Sequence, residues 1–412
     1  MSTVDPKFEA SEIPTEGGLL DAHRRQKLSE VYRSALLDDI VPWWQEHSVD
    51  TEQGGYFSRL NREGQPYSFD KDMWMTGRQV WMFAHLYNRH EQRPLWLEIA
   101  RTGASFLLQH AFRPDGGMYF RTNREGKPLA SILSVYTKVF AAIGLLEYAK
   151  AANDGQAYDR ALSLYGDLEF ELRRLSDTPL LGYPLKHEFD LHSRYICLMT
   201  VAWVFNECDP CDRYASACTA AMDHILNRFW KPEQNVLLEN VGPQGEVLID
   251  LPEGRTINPG HALESAWMML EIAARDENQT AIDLCVDIIL ASLKGGWDEE
   301  QGGLFYIKNF DDTPCHCIES QCKLWWPHGE ALYATMLGWS LTGKAELASW
   351  YNKIHHYTFS RFPDEECGEW YGYLNRDGSP IWTAKANGWK GCFHVPRILF
   401  RAFQLLSSNK SE

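Results

Sequence analysis

The stretch Gln53-Gly54-Gly55-Tyr56-Phe57, with Asn61-Arg62-Glu63-Gly64 close behind it, decides the fold because it comes back. Asp115-Gly116-Gly117-Met118-Tyr119-Phe120 is followed by Asn123-Arg124-Glu125-Gly126, and Gly368-Glu369-Trp370-Tyr371-Gly372-Tyr373 by Asn375-Arg376-Asp377-Gly378. Gln301-Gly302-Gly303-Leu304-Phe305-Tyr306 carries the first half of the pattern. Each reads as a short strand, a turn at the Asn-Arg-acid-Gly tetrapeptide and room for a second short strand. Gly117 follows Gly55 by 62 residues, Gly303 follows Gly117 by 186, three times that spacing, and Gly368 follows Gly303 by 65. A period of about 60 residues marks a repeat architecture, and about six units fill the chain of 412 residues.

Between the turns the pattern is helical. Apolar residues recur at i+3 and i+4 over residues 78–87, 97–110, 139–149, 262–274, 282–293, 330–341 and 396–406. Two helices and one hairpin loop per repeat predict an all-α chain of about twelve helices in six pairs. Such pairs can close into a ring, one helix of each pair inside, or stack as an open solenoid, and periodicity does not choose between them. In a ring the loops of one end surround a central pocket. An aromatic content of 13%, with 16 Trp, suits such a pocket. Flat rings pack on the C–H faces of a sugar while polar groups take its hydroxyls. No linker or change of composition divides the chain, so one domain is expected over residues 21–406, with frayed ends at 1–20 and 407–412.

Composition excludes several classes. Hydrophobic residues at 44% and charged residues at 23% are ordinary for a soluble globular chain. No stretch reaches the ~18 unbroken apolar residues of a membrane-spanning helix. The balance of 40 basic against 56 acidic residues gives a net charge of −16 without a basic run, which disfavours nucleic acid and acidic membrane surfaces. The start, MSTVDPKFEASEIPTEGG, has neither a basic opening nor an apolar run. No secretory signal is read there, and a cytosolic chain with ten scattered, reduced cysteines is expected.

Four places carry residues fit for chemistry. Asn258-Pro259-Gly260-His261-Ala262-Leu263-Glu264 is a breaker running into a helix, so His261 stands at a helix N-terminus with Glu264 one turn on, on the same face. The positive end of the helix dipole disfavours imidazolium, so His261 is expected to lean neutral and to move protons beside a carboxylate. A turn-capping histidine with a surface pair gives the same pattern. In Lys390-Gly391-Cys392-Phe393-His394-Val395-Pro396-Arg397, Pro396 suits the first turn of the last helix and places His394 just before it. Two histidines at the same end of two inner helices could face each other, or His394 could be a packed loop residue. Leu324-Trp325-Trp326-Pro327-His328-Gly329-Glu330 brings two Trp and a carboxylate to a third helix start; the adjacent Trp325 and Trp326 cannot face the same way, so one belongs to the core. In Asp72-Met73-Trp74-Met75-Thr76-Gly77-Arg78-Gln79, Arg78 could offer its planar fork to a carbonyl or hydroxyl oxygen, or form an interhelical salt bridge. Other matches weigh less. Cys208-Asp209-Pro210-Cys211 lacks the context of a redox or zinc pair, and Cys315-His316-Cys317 with Cys322 reads better as small hydrophobes than as a metal site. Lys186-His187-Glu188 and His192 fit a pocket or a surface equally.

Together these motifs resemble the N-acyl-D-glucosamine 2-epimerase family, also called renin-binding protein. The resemblance runs from Trp43-Trp44 and residues 54–57 through Gly77-Arg78-Gln79-Val80-Trp81-Met82, Leu238-Glu239-Asn240-Val241, 258–264, Gly295-Gly296-Trp297-Asp298 and 323–330 to 390–397. It implies an (α/α)6 barrel with short β-hairpin loops at one end. It implies interconversion of N-acetyl-D-glucosamine and N-acetyl-D-mannosamine, a homodimer, a link to sialic acid metabolism, and ATP or another nucleotide as an activator that is not consumed. His261 and His394 then carry catalysis, and Arg78, Glu264, Trp326 and Glu330 contact the substrate. Pro184-Leu185-Lys186-His187-Glu188 and Val135-Tyr136-Thr137-Lys138 depart from the family pattern, which leaves pocket contacts from those segments open.

Inverting C2 of an aldose means opening the ring, removing the proton α to the aldehyde and returning it on the other face. One base on each face is the simplest arrangement, and histidine, with an ordinary pKa of ~6.5, serves as base or acid near neutrality. His394 and His261 are expected to be that pair. Arg78 would steady the charge on O1 of the enediolate, and Glu264 and Glu330 would orient a histidine or take hydroxyls. The step calls for no metal or redox cofactor. The same chemistry would serve an epimerase or aldose–ketose isomerase of mannose, glucose or a β-1,4 disaccharide. Two carboxylates such as Glu264 and Glu330 would serve an inverting glycoside hydrolase. A protein of another class would bind a protease such as renin without turnover.

Overall fold

The computed structural model describes residues 22–131, 134–173 and 189–408. The expected frayed start at 1–20, the tail residues 409–412, and Lys186, His187 and Glu188 lie outside them. The helices run in chain order as α1 (Ala22–Ser34), α2 (Val41–His47), α3 (Met73–Arg89), α4 (Pro94–His110), α5 (Ser134–Ala152), α6 (Gly155–Arg173), α7 (His192–Cys208), α8 (Asp212–His224), α9 (Pro259–Arg275), α10 (Gln279–Gly296), α11 (Trp325–Thr342), α12 (Ala345–Arg361) and α13 (His394–Ser407). Several begin earlier than apolar periodicity predicts: α3 at Met73 rather than 78, α11 at Trp325 rather than 330, α13 at His394 rather than 396. Their first turns carry Pro, Gly, His and Trp in place of the i+3/i+4 rows, so the periodicity is silent there. His394, expected just before its helix, is the helix's first residue.

The chain forms two compact units. One holds Met1–Pro42, Met222–Thr383 and His394–Glu412. In it α9 packs on α10 and α11, α11 on α12 and α13, and α13 on α1. At that last pairing Arg25 donates to the Ser408 carbonyl at 3.0 Å and the Ser29 and Ser407 hydroxyls meet at 2.8 Å. The other unit holds Trp43–Ala221 and Ala384–Phe393; there α3 packs on α4 and α5, and α5 on α6 and α7. α11 is buried at every residue from Trp325 to Gly338, as a helix without a polar stripe must be. α4 instead buries one stripe, Trp96, Ile99, Ala100, Gly103, Ala104 and Leu107, and leaves its far face to solvent.

Short antiparallel strands lead into α3, α9 and α11. Lys71–Asp72 pairs with Arg121–Thr122, Thr256–Ile257 with Lys308–Asn309, and Lys323–Leu324 with Tyr373–Leu374. The turns are those read from the sequence: the Gly64, Gly126 and Gly378 amides donate to the Asn61, Asn123 and Asn375 carbonyls at 3.2, 3.1 and 2.9 Å. Gly64 holds φ +77°, and a Cβ there would lie 2.2 Å from His47 Cγ, so only glycine fits. Gly242-Pro243-Gln244-Gly245 closes the same way at 2.8 Å with glycine in the asparagine's place, which is why the motif passes over it.

The same ion trio, a buried Lys–Asp pair gripped by a partly exposed arginine, clamps each unit under its turns. Lys71 meets Asp50 at 2.9 Å, and Arg124 grips both Asp50 oxygens at 2.9 and 3.0 Å. Lys323 meets Asp298 at 3.0 Å, and Arg376 grips it at 2.7 and 3.1 Å. Burial pushes both carboxyls up, but the paired cations and backbone amides outweigh it and hold Asp50 and Asp298 well below the usual carboxylate range. Their contribution to stability is therefore complete above the unfolded pKa of ~3.9 and drains away as pH falls toward the folded value. Asp298→Asn leaves the Lys323 ammonium buried without its carboxylate and is expected to cost about 3–5 kcal/mol in urea unfolding at pH 7. Adding Lys323→Met should recover most of that. A loss under about 1 kcal/mol would reduce the trio to an ordinary surface pair.

Candidate active site

Helix starts in one unit bring together residues distant in sequence. At the head of α9, Asn258 Oδ1 accepts the His261 amide at 3.2 Å. This is the N-cap bond that the Asn-Pro-Gly breaker sets up. A Cβ on Gly260 would lie 2.5 Å from the Trp326 ring, so the glycine lets that indole close in. α11 contributes Trp326 and Glu330, and α13 contributes His394 with Arg397 one turn on.

Trp326 packs against both imidazoles. Its ring centroid is 5.1 Å from that of His261 and 5.6 Å from that of His394, each tilted by 39°. Each imidazole is also held at Nδ1 by a carboxylate: His394 by Glu330 Oε1 at 2.7 Å, His261 by Glu239 Oε2 at 2.9 Å. An ionised carboxylate only accepts, so each of these contacts favours the ring hydrogen on Nδ1 and the lone pair on Nε2. The His261 side chain is 30% exposed and that of His394 11%.

Behind the histidines lies a dry, charged layer. Glu330 is fully buried; Oε2 accepts from the Trp267 indole at 2.7 Å, and Oε1 from Arg397 at 2.6 Å as well as from His394. The same Arg397 nitrogen donates to Glu264 at 2.6 Å. The Trp267 ring lies 5.3 Å from the guanidinium carbons of both Arg397 and Arg401. Burial pushes the Glu330 carboxyl above its ordinary range although Arg397 and Trp267 pull the other way. Burial likewise opposes the charge on Arg397, yet Glu330 and Glu264 hold its guanidinium above the ordinary value. Glu264, Glu330 and His394 offer ligand atoms within 4.8 Å of one another, as a metal site would, but Arg397 already supplies the cation to both carboxylates.

The sequence matches the N-acylglucosamine 2-epimerase (GlcNAc 2-epimerase) family over residues 55–396. The chain belongs to that family. The N-acylglucosamine 2-epimerase of Bos taurus is 35% identical over 382 residues, 90% of each chain. That of Homo sapiens is 32% identical over 385 residues, 90% of this chain and 88% of the relative. Among solved structures, the cellobiose 2-epimerase from Bacillus thermoamylovorans B4167 matches with a TM-score of 0.78 at 18% identity, over 92% of this chain and 99% of that one. The fold class is the (α/α)6 class expected from the sequence. No helix among the described residues is long and apolar enough to cross a membrane.

In this epimerase-family chain, five of the six residues singled out from the sequence meet in one place: His261, Glu264, Trp326, Glu330 and His394. Arg78 belongs to the other unit, its guanidinium stacked 4.6 Å from Trp74, 4.0 Å from Phe140 and 5.0 Å from Phe393. Two expectations are corrected. The helix dipole alone predicts a His261 that leans neutral. Burial does favour the neutral ring, but the charges of Glu239, Glu264 and Glu330 outweigh it and raise the proton affinity above the ordinary value. Full carboxylates count for more than the partial charge of a helix end. Sequence spacing points to Glu264 as the partner of His261, but that partner is Glu239, and Glu264 pairs with Arg397. Of the two tryptophans, Trp325 packs in the core 5.2 Å from Tyr373 while Trp326 serves the histidines. His328 is structural: Nε2 accepts the Leu304 amide at 2.9 Å, Nδ1 donates to the Leu324 carbonyl at 2.7 Å, and burial drives its pKa down to about 3. His192 is fully buried at the start of α7. Glu239, Arg397 and Trp267 were not singled out beforehand. Arg397 stands in its motif at i+3 from His394, a spacing that could have found it; Glu239 stands in Leu238-Glu239-Asn240-Val241, a stretch of the resemblance with no spacing rule to tie it to His261, and Trp267 follows none either.

Proposed function

We propose that this protein interconverts N-acetyl-D-glucosamine and N-acetyl-D-mannosamine, taking the C2 proton of the open-chain sugar on one face and returning a proton on the other. The observation that carries this reading is a pair of imidazoles, each fixed at Nδ1 by a glutamate and both packed on one indole. The sugar follows from the names of the relatives, which are 32–35% identical over most of their length. A carboxylate on Nδ1–H makes Nε2 more basic and stabilises the imidazolium once the proton has arrived. While one histidine takes the proton, the other, already charged, gives one. Trp326 offers an apolar wall to the carbon skeleton. Epimerisation changes configuration and not oxidation level, so proton transfer alone completes it. Arg78 is proposed, from its sequence motif, for the enediolate charge. On the family resemblance we also propose activation by a nucleotide such as ATP, a cytosolic homodimer, and a product that enters sialic acid metabolism.

The test is to incubate the protein with N-acetyl-D-mannosamine in D2O, with and without ATP, and follow the reaction by proton NMR. N-acetyl-D-glucosamine carrying deuterium at C2 is expected. Mannose and cellobiose are run alongside. Faster turnover of either would overturn the sugar but keep the chemistry, and no deuterium in any sugar would overturn the proton transfer.

A further inference from the structure

We infer that Glu239 is the positioning residue of His261: its carboxylate decides which ring nitrogen carries the hydrogen and therefore which one meets the sugar. This rests on the two-histidine reading above and adds to it a residue from outside the helices that carry the pair. Glu239 lies in the segment between α8 and α9, and its own amide donates to the Thr256 carbonyl at 2.9 Å. That carbonyl belongs to the short strand that launches α9. On either side, Leu238 and Val241 are fully buried, and the Asn240 side chain donates to the Glu253 carbonyl at 2.9 Å. The backbone under the carboxylate is thus stitched to the backbone under the imidazole, and the 2.9 Å contact between Oε2 and Nδ1 is held by one rigid piece. Glu264, the nearer carboxylate in sequence, is drawn to Arg397 instead. The His261 ring is partly open to solvent, so beyond Trp326 it needs an anchor to keep one orientation.

The chemical consequence is specific. Glu239→Gln keeps the size but can present an amide N–H to Nδ1. The ring hydrogen then moves to Nε2 and blocks the lone pair that takes the substrate proton. Turnover is expected to fall by about 100-fold or more with KM little changed. The His261 limb of the pH–rate profile should move to lower pH, because a carboxylate that favoured the charged ring has gone. Glu239→Asp keeps the charge and should restore part of the turnover and the position of that limb. In the wild-type protein, 15N NMR of the neutral His261 ring should show hydrogen on Nδ1, a reading that needs no variant to fold. Hydrogen on Nε2 there would overturn the inference. So would wild-type turnover and pH profile in Glu239→Gln beside an inactive His261→Asn, an outcome that leaves the two-histidine reading standing. An active His261→Asn would instead remove that reading itself.

Discussion

His394→Asn and His261→Asn are each expected to slow epimerisation by about 100- to 10,000-fold, the usual contribution of a positioned acid or base. They should fail in mirror-image ways. With two bases on opposite faces, each histidine meets the C2 proton of one epimer only. Removing one leaves the other able to pull a proton from its own epimer, exchange it with solvent and put it back on the same side. In D2O, His394→Asn should therefore wash deuterium slowly into one N-acetylhexosamine without converting it, and His261→Asn into the other. Circular dichroism and a thermal melt confirm that the proteins are folded, and NMR of the C2 proton reads the result. If both variants exchange the same epimer, the histidines do not flank the carbon. If either keeps near wild-type epimerisation, it is not a base.

Arg397→Gln should do the second largest damage, and in two currencies at once. Arg397 is 2% exposed and its Nη2 lies 2.6 Å from both Glu264 and Glu330. Without it two carboxylates share a dry site with no guanidinium between them, a loss of about 3–5 kcal/mol for a broken buried pair. The Glu330 carboxyl, already pushed up by burial, then moves further up, and more of it is protonated at a given pH. A protonated Glu330 donates to His394 Nδ1 instead of accepting from it, and the ring hydrogen shifts to Nε2, where the base should be. Turnover should drop by about 100-fold or more at pH 7 and recover in part as pH rises and Glu330 ionises. Urea unfolding and a pH–rate profile measure the two effects separately. A variant of wild-type stability with a flat loss at every pH would show that Arg397 does not act through Glu330.

Much of the fold was legible because its turns are chemically narrow. Glycine at positive φ is favoured at all three turns, and Gly64 and Gly126 are also pressed against the histidine that ends the helix below, so Gly64, Gly126 and Gly378 keep their spacing visible. The turn at 242–245 escaped because it needs its glycines but not the Asn-Arg pair. The helix starts escaped because capping residues replace the apolar rows at the very places where His261, Trp326 and His394 sit. Within the site, local spacing found the histidines and suggested the wrong carboxylate for one of them. Glu264 is one turn from His261 in sequence, but Arg397, arriving from the last helix, competes for it and wins through a charge-assisted bond. Glu239 reaches the ring across a strand, a relation that no periodicity encodes.

The pairing of α1 with α13 joins segments far apart in sequence, and a ribosome makes them in an inconvenient order. Leu28, Val31 and Tyr32 of α1 are buried in the finished protein, yet the helix that packs on α1 is translated long after it: Ser29 meets Ser407, 378 residues on. During synthesis that apolar face waits, open to chaperones and to other nascent chains. His394 and Arg397 stand in the first turn of the same helix that covers this face, so a substitution that loosens α13 from α1 is felt at the second imidazole as well.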